Sequence, residues 1–352
     1  MQKGFNKISI RRILVRGTNW LGDAVMTTPA LGRVRDYFPE ARITLLANPL
    51  VAELFASHPW IDDVMIYDRK GRHAGLKGRL LMAGELKARS FDLAILLPNS
   101  LDSAFITWLA RVPRRLGYAT DGRGLLLTDK VPLSARMLTG HQTGYYLAML
   151  EYFGVNGSPR SQLLTTTIAE DAGIRELLEA EGIHSDSIVI VVNPGAAYGS
   201  AKRWYPERFA VVADQLARQW NARVVITGGR DEMTIAEDIC GMMISPCLNL
   251  AGKTGVREMM AIIKRCNFFI TNDSGPMHIA AAFEVPLVAI FGSTDHMTTF
   301  PLARQTALVR KQVDCAPCMK RECPTDHRCM KEVTVEDVLA AAATLQPTGM
   351  VK

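Results

Sequence analysis

Short runs of branched apolar residues recur along the whole chain. All but one are closed by glycine, proline or asparagine, and most lead into a stretch of helical period. In the first half the runs are Ile8–Arg16, Arg42–Ala47, Val64–Tyr67 and Leu93–Leu97, with a helix expected from about Ala24 to Tyr37 and ended by Pro39. In the second half they are Ile188–Val192, Arg223–Thr227, Asn267–Thr271 and Leu287–Phe291, interleaved with helices expected over Pro206–Trp220, Arg257–Arg265 and Pro276–Phe283. Strands alternating with helices at this spacing specify βαβ units and parallel sheets. The rhythm restarts after Gly157–Gln162, the most linker-like stretch. The fold class expected is therefore α/β, with two doubly wound, Rossmann-like domains facing each other across a central cleft. The boundaries expected are 1–165, 166–333 and a C-terminal helix and tail over 334–352, the helix opened by Thr334 with Asp337 completing an approximate capping box.

At 352 residues the chain is long for one core, and 48% hydrophobic content with a net charge of +6 excludes a disordered polyampholyte. No apolar stretch reaches the roughly 18 residues of a membrane span, the best candidate, Ile279–Phe291, being broken by Glu284 and Pro286. The N-terminus does not read as a secretory signal, so a cytoplasmic protein is expected. Charge is uneven: residues 1–170 hold 22 Lys and Arg against 14 Asp and Glu, the remainder 19 against 21. The first half therefore points to an anionic partner. All seven cysteines lie in the second half, an odd number that does not read as a disulfide framework.

Ligands of open parallel sheets bind beyond the carboxyl ends of the strands, so the loops there carry the candidates. The first loop, Arg16-Gly-Thr-Asn-Trp-Leu-Gly-Asp-Ala24, lacks both the G-x-G-x-x-G spacing of a dinucleotide site and the Lys-Ser/Thr of a P-loop. It offers Asp23 instead, either as a proton acceptor or as a carboxylate favoured by a helix start. The second, Asn193 to Pro206, combines small residues (Gly195, Ala196) with Lys202 and Arg203, a phosphate-binding chemistry without a Walker motif. The third, Thr271 to Ala282, places Asp273, Ser274, Gly275 and His278 at a helix start suited to an anion. The fourth, Asp68–Arg79, is a glycine-containing run with Arg69, Lys70, Arg72, Lys77 and Arg79, or six basic groups with His73, expected to be mobile and to meet an anionic substrate or lipid headgroup. Nucleic acid is not expected, because no helix-turn-helix, RNP-type motif or zinc finger accompanies the run. The fifth, Cys315, Cys318, Cys323 and Cys329 beside His327, has the density of a metal site but no paired C-x2-C hairpin, and no bound metal is expected.

Taken together, Gly-Thr-Asn-Trp-Leu-Gly-Asp23, Leu-Pro-Asn-Ser100, Pro-Gly-Ala-Ala-Tyr-Gly-Ser-Ala-Lys-Arg-Trp204 and Asn-Asp-Ser-Gly-Pro-Met-His278 resemble the ADP-heptose:lipopolysaccharide heptosyltransferases, glycosyltransferase family 9. Within that family the Pro-Asn-Ser and Ala-Lys-Arg-Trp segments look like the branch that adds the second heptose. The resemblance implies a GT-B fold and an inverting transfer that requires no metal or other cofactor. It assigns the acceptor to the first domain and ADP-heptose, as substrate, to the second. The implied acceptor is heptosyl-Kdo2-lipid A at the cytoplasmic face of the inner membrane. Asp23 matches the family's base and Lys202 its phosphate-binding lysine. Asp273, Ser274, Gly275 and His278 fall on its donor motif, with looser matches at Glu232 and Thr254 and with Asn99 on the acceptor side. Members that add the first heptose, an epimerase of the same fold and a non-enzymatic nucleotide-sugar module are the competing readings.

Overall fold

The computed structural model describes residues 5, 9–134, 137, 139–158 and 160–349; Ile8, Pro159 and the last three residues of the tail expected over 334–352 lie outside them. The chain divides into two compact units, Met1–Thr165 and Thr166–Lys352. Each is built on a six-stranded parallel sheet. In the first, β1 (Arg12–Arg16), β2 (Arg42–Ala47), β3 (Asp63–Ile66), β4 (Leu93–Leu96), β5 (Arg114–Tyr118) and β6 (Asp129–Val131) lie in the order β3-β2-β1-β4-β5-β6. In the second, β7 (Val189–Asn193), β8 (Arg223–Ile226), β9 (Cys247–Asn249), β10 (Phe268–Asn272), β11 (Leu287–Ile290) and β12 (Thr306–Val309) take the order β12-β11-β10-β7-β8-β9. Counted from its own first strand, each sheet has the order 3-2-1-4-5-6 of a doubly wound fold. Each therefore has a switch point, between β1 and β4 and between β7 and β10.

The central strands are buried on both faces, as parallel strands covered by helices must be. The first unit's helices are α1 (Leu21–Met26), α2 (Thr28–Tyr37), α3 (Pro49–Leu54), α4 (Gly75–Ala88), α5 (Leu101–Leu109) and α6 (Gln142–Glu151). The second unit carries α7 (Ile168–Ala180), α8 (Pro206–Trp220), α9 (Met233–Met242), α10 (Val256–Arg265), α11 (Gly275–Ala282), α12 (His296–Thr299), α13 (Arg328–Lys331) and α14 (Val335–Ala343). Helix α8 shows why these segments fold as they do. Pro206 takes the first position, where its missing N–H costs nothing, and Asn221 ends the helix in the left-handed region. Between them Phe209, Ala210, Val212, Ala213, Leu216 and Ala217 bury one stripe against the sheet, each large side chain contributing roughly 1.5–3 kcal/mol.

Two expectations need correction. The single helix expected over residues 24–37 is two, because the Thr27 and Thr28 hydroxyls turn back onto the Ala24 and Val25 carbonyls and Pro29 cannot donate. The basic segment is not a mobile loop: the Asp68 carboxylate accepts from the Lys70 and Gly71 amides, and α4 starts at Gly75. The helix expected from Thr334 is α14, with the Thr334–Asp337 capping box complete and Val338 and Ala342 buried in the core of the second unit.

Candidate active site

At the switch point of the first sheet, the loops after β1 and β4 enclose a pocket of about 300 Å³. Asp23, in the first turn of α1, and Asn99, just after β4, both line it, together with Asn19, Trp20, Gln142, Tyr145 and Tyr146. Asn99 is held from both ends: its amide donates to the Tyr145 hydroxyl at 2.5 Å and its carbonyl oxygen accepts from Arg123 at 2.9 Å. Burial and, after it, the neighbouring Asp23 carboxylate raise the Tyr146 phenol well above its ordinary value.

Two buried arginines shape this edge. Arg123, wholly enclosed, donates to the Tyr118 carbonyl at 2.8 Å and to the Pro98 carbonyl, fixing the turn that carries Asn99. Arg16, at the end of β1, donates to Asn19 at 2.9 Å and to the Gly17 and Leu46 carbonyls. Burial lowers both guanidinium groups to about 10, still charged at neutral pH. The expected basic residues do not line the pocket. Arg79 donates to Asp102 at 2.6 Å, Arg69 lies 3.8 Å from the same carboxylate, and Arg72 pairs with Glu85. His73, counted above with the bases, is buried. Lys70 and Lys77 stay exposed.

In the second unit the switch point gathers the loops after β7 and β10. Lys202 Nζ lies 2.6 Å from Asp273 Oδ2, which also accepts from the Thr294 hydroxyl at 2.5 Å. The Ser274 hydroxyl lies 3.1 Å from that of Thr271 and 3.5 Å from Asn193 Oδ1. His278 is buried in the first turns of α11, and Pro276 helps start that helix. Gly195 lets the Glu232 carboxylate lie against the backbone: a Cβ there would stand 1.7 Å from Glu232 Oε1, and that side chain would have to turn away. Glu232, accepting from the Gly229 amide at 2.7 Å, thus joins the loops after β7 and β8. Ala196 is buried beside Gly195, whereas Thr254, half-buried ahead of α10, is not joined to these groups by any contact seen among the described residues. Arg203 Nε is buried without a hydrogen-bond partner among the described residues, an unsatisfied donor in a cationic loop.

Residues 79–328 match the family model for glycosyltransferase family 9 (heptosyltransferase). The chain belongs to this family. Among its relatives is the lipooligosaccharide heptosyltransferase 2 of Haemophilus influenzae, 30% identical over 314 residues, spanning 85% of this chain and 88% of that protein. The lipopolysaccharide heptosyltransferase 3 of Escherichia coli K12 is 28% identical over 340 residues, spanning 93% of this chain and 95% of that protein. The solved structure of the E. coli ADP-heptose lipopolysaccharide heptosyltransferase II superposes with a TM-score of 0.82 at 26% identity, over 95% of this chain and 98% of that one. The two doubly wound sheets are those of the GT-B fold.

In this family 9 chain the cysteine-bearing segment packs onto the Lys202 loop. The Ala201 amide donates to the Arg321 carbonyl at 2.9 Å, His327 Nε2 lies 3.1 Å from the Ala201 carbonyl, and the Tyr198 hydroxyl donates to the Met319 carbonyl at 2.7 Å. Among the described residues no group of three His, Cys, Asp or Glu side chains is placed to hold a metal ion. Cys240 and Cys247 are bridged, one local link between α9 and β9. Sequence reasoning gave no role to Arg123, Tyr145, Tyr146 or Thr294, and set His327 only beside the cysteines. Most of their partners lie far along the chain, and the aromatic pair Tyr145-Tyr146 beside Gln142 was a local signal.

Proposed function

We propose that this family 9 chain transfers heptose from ADP-L-glycero-β-D-manno-heptose to heptosyl-Kdo2-lipid A in the lipopolysaccharide core, the heptosyltransferase II step, at the cytoplasmic face of the inner membrane. The observation that carries the reading is that one chain holds a pocketed carboxylate at the switch point of its first sheet and a half-buried cationic loop at the switch point of its second. Asp23 takes the proton of the attacking acceptor hydroxyl. The acceptor oxygen bonds to the anomeric carbon with inversion, the bond from that carbon to the diphosphate oxygen breaks, and ADP leaves. Lys202 and Arg203 meet the charge that develops on the diphosphate, with Ser274, Gly275 and His278 at the start of α11 lining the same edge. Gly195 and Ala196 give the diphosphate close approach to the backbone, while Glu232 and Thr254 face the nucleoside. Asp273 orients the Lys202 ammonium through the ion pair already formed. No metal or other cofactor enters this scheme.

Asn99, held by Arg123 and Tyr145, orients the acceptor, and Arg69, Lys70, Arg72, Lys77 and Arg79 attract its phosphates from outside the pocket. The likeness to a heptosyltransferase 3 over almost the full chain makes the third transfer the rival step. Incubation with ADP-heptose and, in turn, Kdo2-lipid A, its monoheptosyl form and its diheptosyl form separates the steps. ADP release only with the monoheptosyl acceptor is expected, and release only with the diheptosyl form assigns the rival. Release with none of the three removes the transferase reading.

A further inference from the structure

Helix α4 presents apolar side chains to solvent as well as to its own sheet. Its inward face is Gly78, Met82, Ala83 and Leu86, all buried. At the helical period, the opposite face gathers Leu76, Leu80 and Leu81 with Lys77 and Lys87. The three leucines are 62%, 52% and 43% exposed. A surface helix ordinarily turns charges outward over this arc. Here no carboxylate stands on it, because Glu85, the helix's one acidic residue, faces Arg72 and His73.

A second feature adjoins the end of this helix. Arg89, directly after α4, joins Arg12, Arg42, Thr44 and Phe91 around a hollow of about 360 Å³. Arg12 and Arg42 are register neighbours on β1 and β2, so their side chains leave the same face of the sheet. Arg89 pairs with Asp63, but among the described residues neither Arg12 nor Arg42 forms an ion pair with a carboxylate. Thr44 and Phe91 are buried at the base.

We propose that α4 is a membrane-docking helix. Leu76, Leu80 and Leu81 enter the boundary between headgroups and acyl chains of an anionic bilayer, while Lys77 and Lys87 extend along it to the phosphates. The Arg12–Arg42 hollow takes the phosphate of a phospholipid headgroup. Charge selects this occupant over a second copy of the chain, because self-association through α4 would bring lysines and arginines against their own kind. Direction supports it too: α4 leaves the basic turn at the carboxyl edge of the sheet, where the Asp23 pocket opens, and ends at the amino edge. The inference rests on the reading that the acceptor is lipid-borne, and it adds the surface that would bring the first unit to that lipid.

The test is sedimentation with vesicles of phosphatidylglycerol and phosphatidylethanolamine, with neither sugar nucleotide nor acceptor present. The intact chain is expected to sediment with the vesicles. The double variant Leu76→Glu/Leu80→Glu should lose at least tenfold in binding at an unchanged melting temperature. Arg12→Gln/Arg42→Gln should weaken binding severalfold and remove most of its dependence on phosphatidylglycerol content. Equal binding by the leucine variant, or no binding by the intact chain, overturns the proposal. So does a dimer that the leucine variant splits in a chain indifferent to vesicles. Failure of the functional reading looks different: vesicle binding would persist while no acceptor releases ADP. ADP release from detergent-dispersed acceptor without vesicle binding would remove the docking helix and leave the transferase.

Discussion

The two sheets share one strand order and differ in what their carboxyl edges carry. At the first, a carboxylate sits among phenols and amides, and the nearest arginines point inward to backbone carbonyls. At the second, a lysine and an arginine stand on a loop of small residues, the lysine already paired with Asp273. A parallel sheet therefore supplies a position and not a chemistry, and a handful of side chains at the switch point decides whether an edge carries a carboxylate or a cation. The comparison also locates the charge. Arg33 with Glu151, Arg35 with Asp62 and Arg114 with Asp129 are tied into ion pairs, which leave the first half's excess of bases over acids unchanged and carried by other side chains.

The sharpest way to break the contrast is to exchange the chemistry of one edge and watch the other. Asp23→Ala should lower kcat by about 10²- to 10⁴-fold while ADP affinity, read by calorimetry, stays within about twofold. Near-normal turnover would return Asp23 to the role of a helix-start carboxylate. Lys202→Ala should act on both quantities, weakening ADP binding and slowing transfer by roughly 10- to 100-fold each, because the charge is felt before and during departure of the diphosphate. It should also lower the melting temperature, since Asp273 is left buried with the Thr294 hydroxyl as its remaining side-chain partner among the described residues. A variant that loses stability but keeps donor affinity would make the pair structural.

Much of this contrast is legible in the sequence. The strand ends are marked by branched runs closing on Gly, Pro or Asn, and Lys202, Asp273 and His278 sit in loops whose composition already suggests an anion. Asp23 and Asn99, though 76 positions apart in sequence, are brought together by the crossing from β1 to β4, which the alternation of elements implies. What was hidden has physical causes. Strand β5, Arg-Arg-Leu-Gly-Tyr, one place in from the edge strand β6, looks solvated because its arginine residues find Asp129, Thr128 and the Leu126 carbonyl only after folding. Helix α4 lacks helical periodicity because both of its faces are apolar. Arg123 reads as a loop cation until its carbonyl partners close around it.

Smaller effects refine the second edge. His327 meets the Ala201 carbonyl one residue before Lys202, and its own amide donates to Cys323 Sγ at 3.2 Å. His327→Ala should slow transfer roughly tenfold by loosening the Lys202 loop, with partial rescue by Gln, whose amide can still donate. In a Lys202→Ala background the same change should add little, because both act through one charge. Full additivity, seen in kcat/KM for the four enzymes of the cycle, would uncouple His327 from Lys202. At the first edge, Lys70→Gln/Lys77→Gln should raise the acceptor KM only about threefold and flatten its salt dependence, ADP-heptose KM being unchanged. An acceptor KM indifferent to both charge and salt would leave these lysines as solvated surface.

The smallest expected effect on transfer, none at all, belongs to Glu170 at the start of the second unit. Its carboxylate pairs with Arg257 at 2.7 Å and caps α7 by accepting from the Thr167 amide at 2.7 Å. The Arg257 partner is the main cause that lowers it from an ordinary 4.5 to about 2. A carboxyl lowered on folding adds stability that is fully present above its unfolded value and is lost as pH falls toward the folded one. Glu170→Gln keeps an acceptor for the cap and removes the charge, so it isolates the ion pair. Both side chains are largely shielded, at 26% and 13% exposure, and the variant should unfold about 1–2 kcal/mol more easily at pH 7. That gap should narrow below pH 4.5 and close near pH 2, as followed by denaturant unfolding along the pH series. A gap that persists unchanged into acid would assign the loss to the helix cap, and a fall in heptose transfer at neutral pH would tie this ion pair to the donor edge.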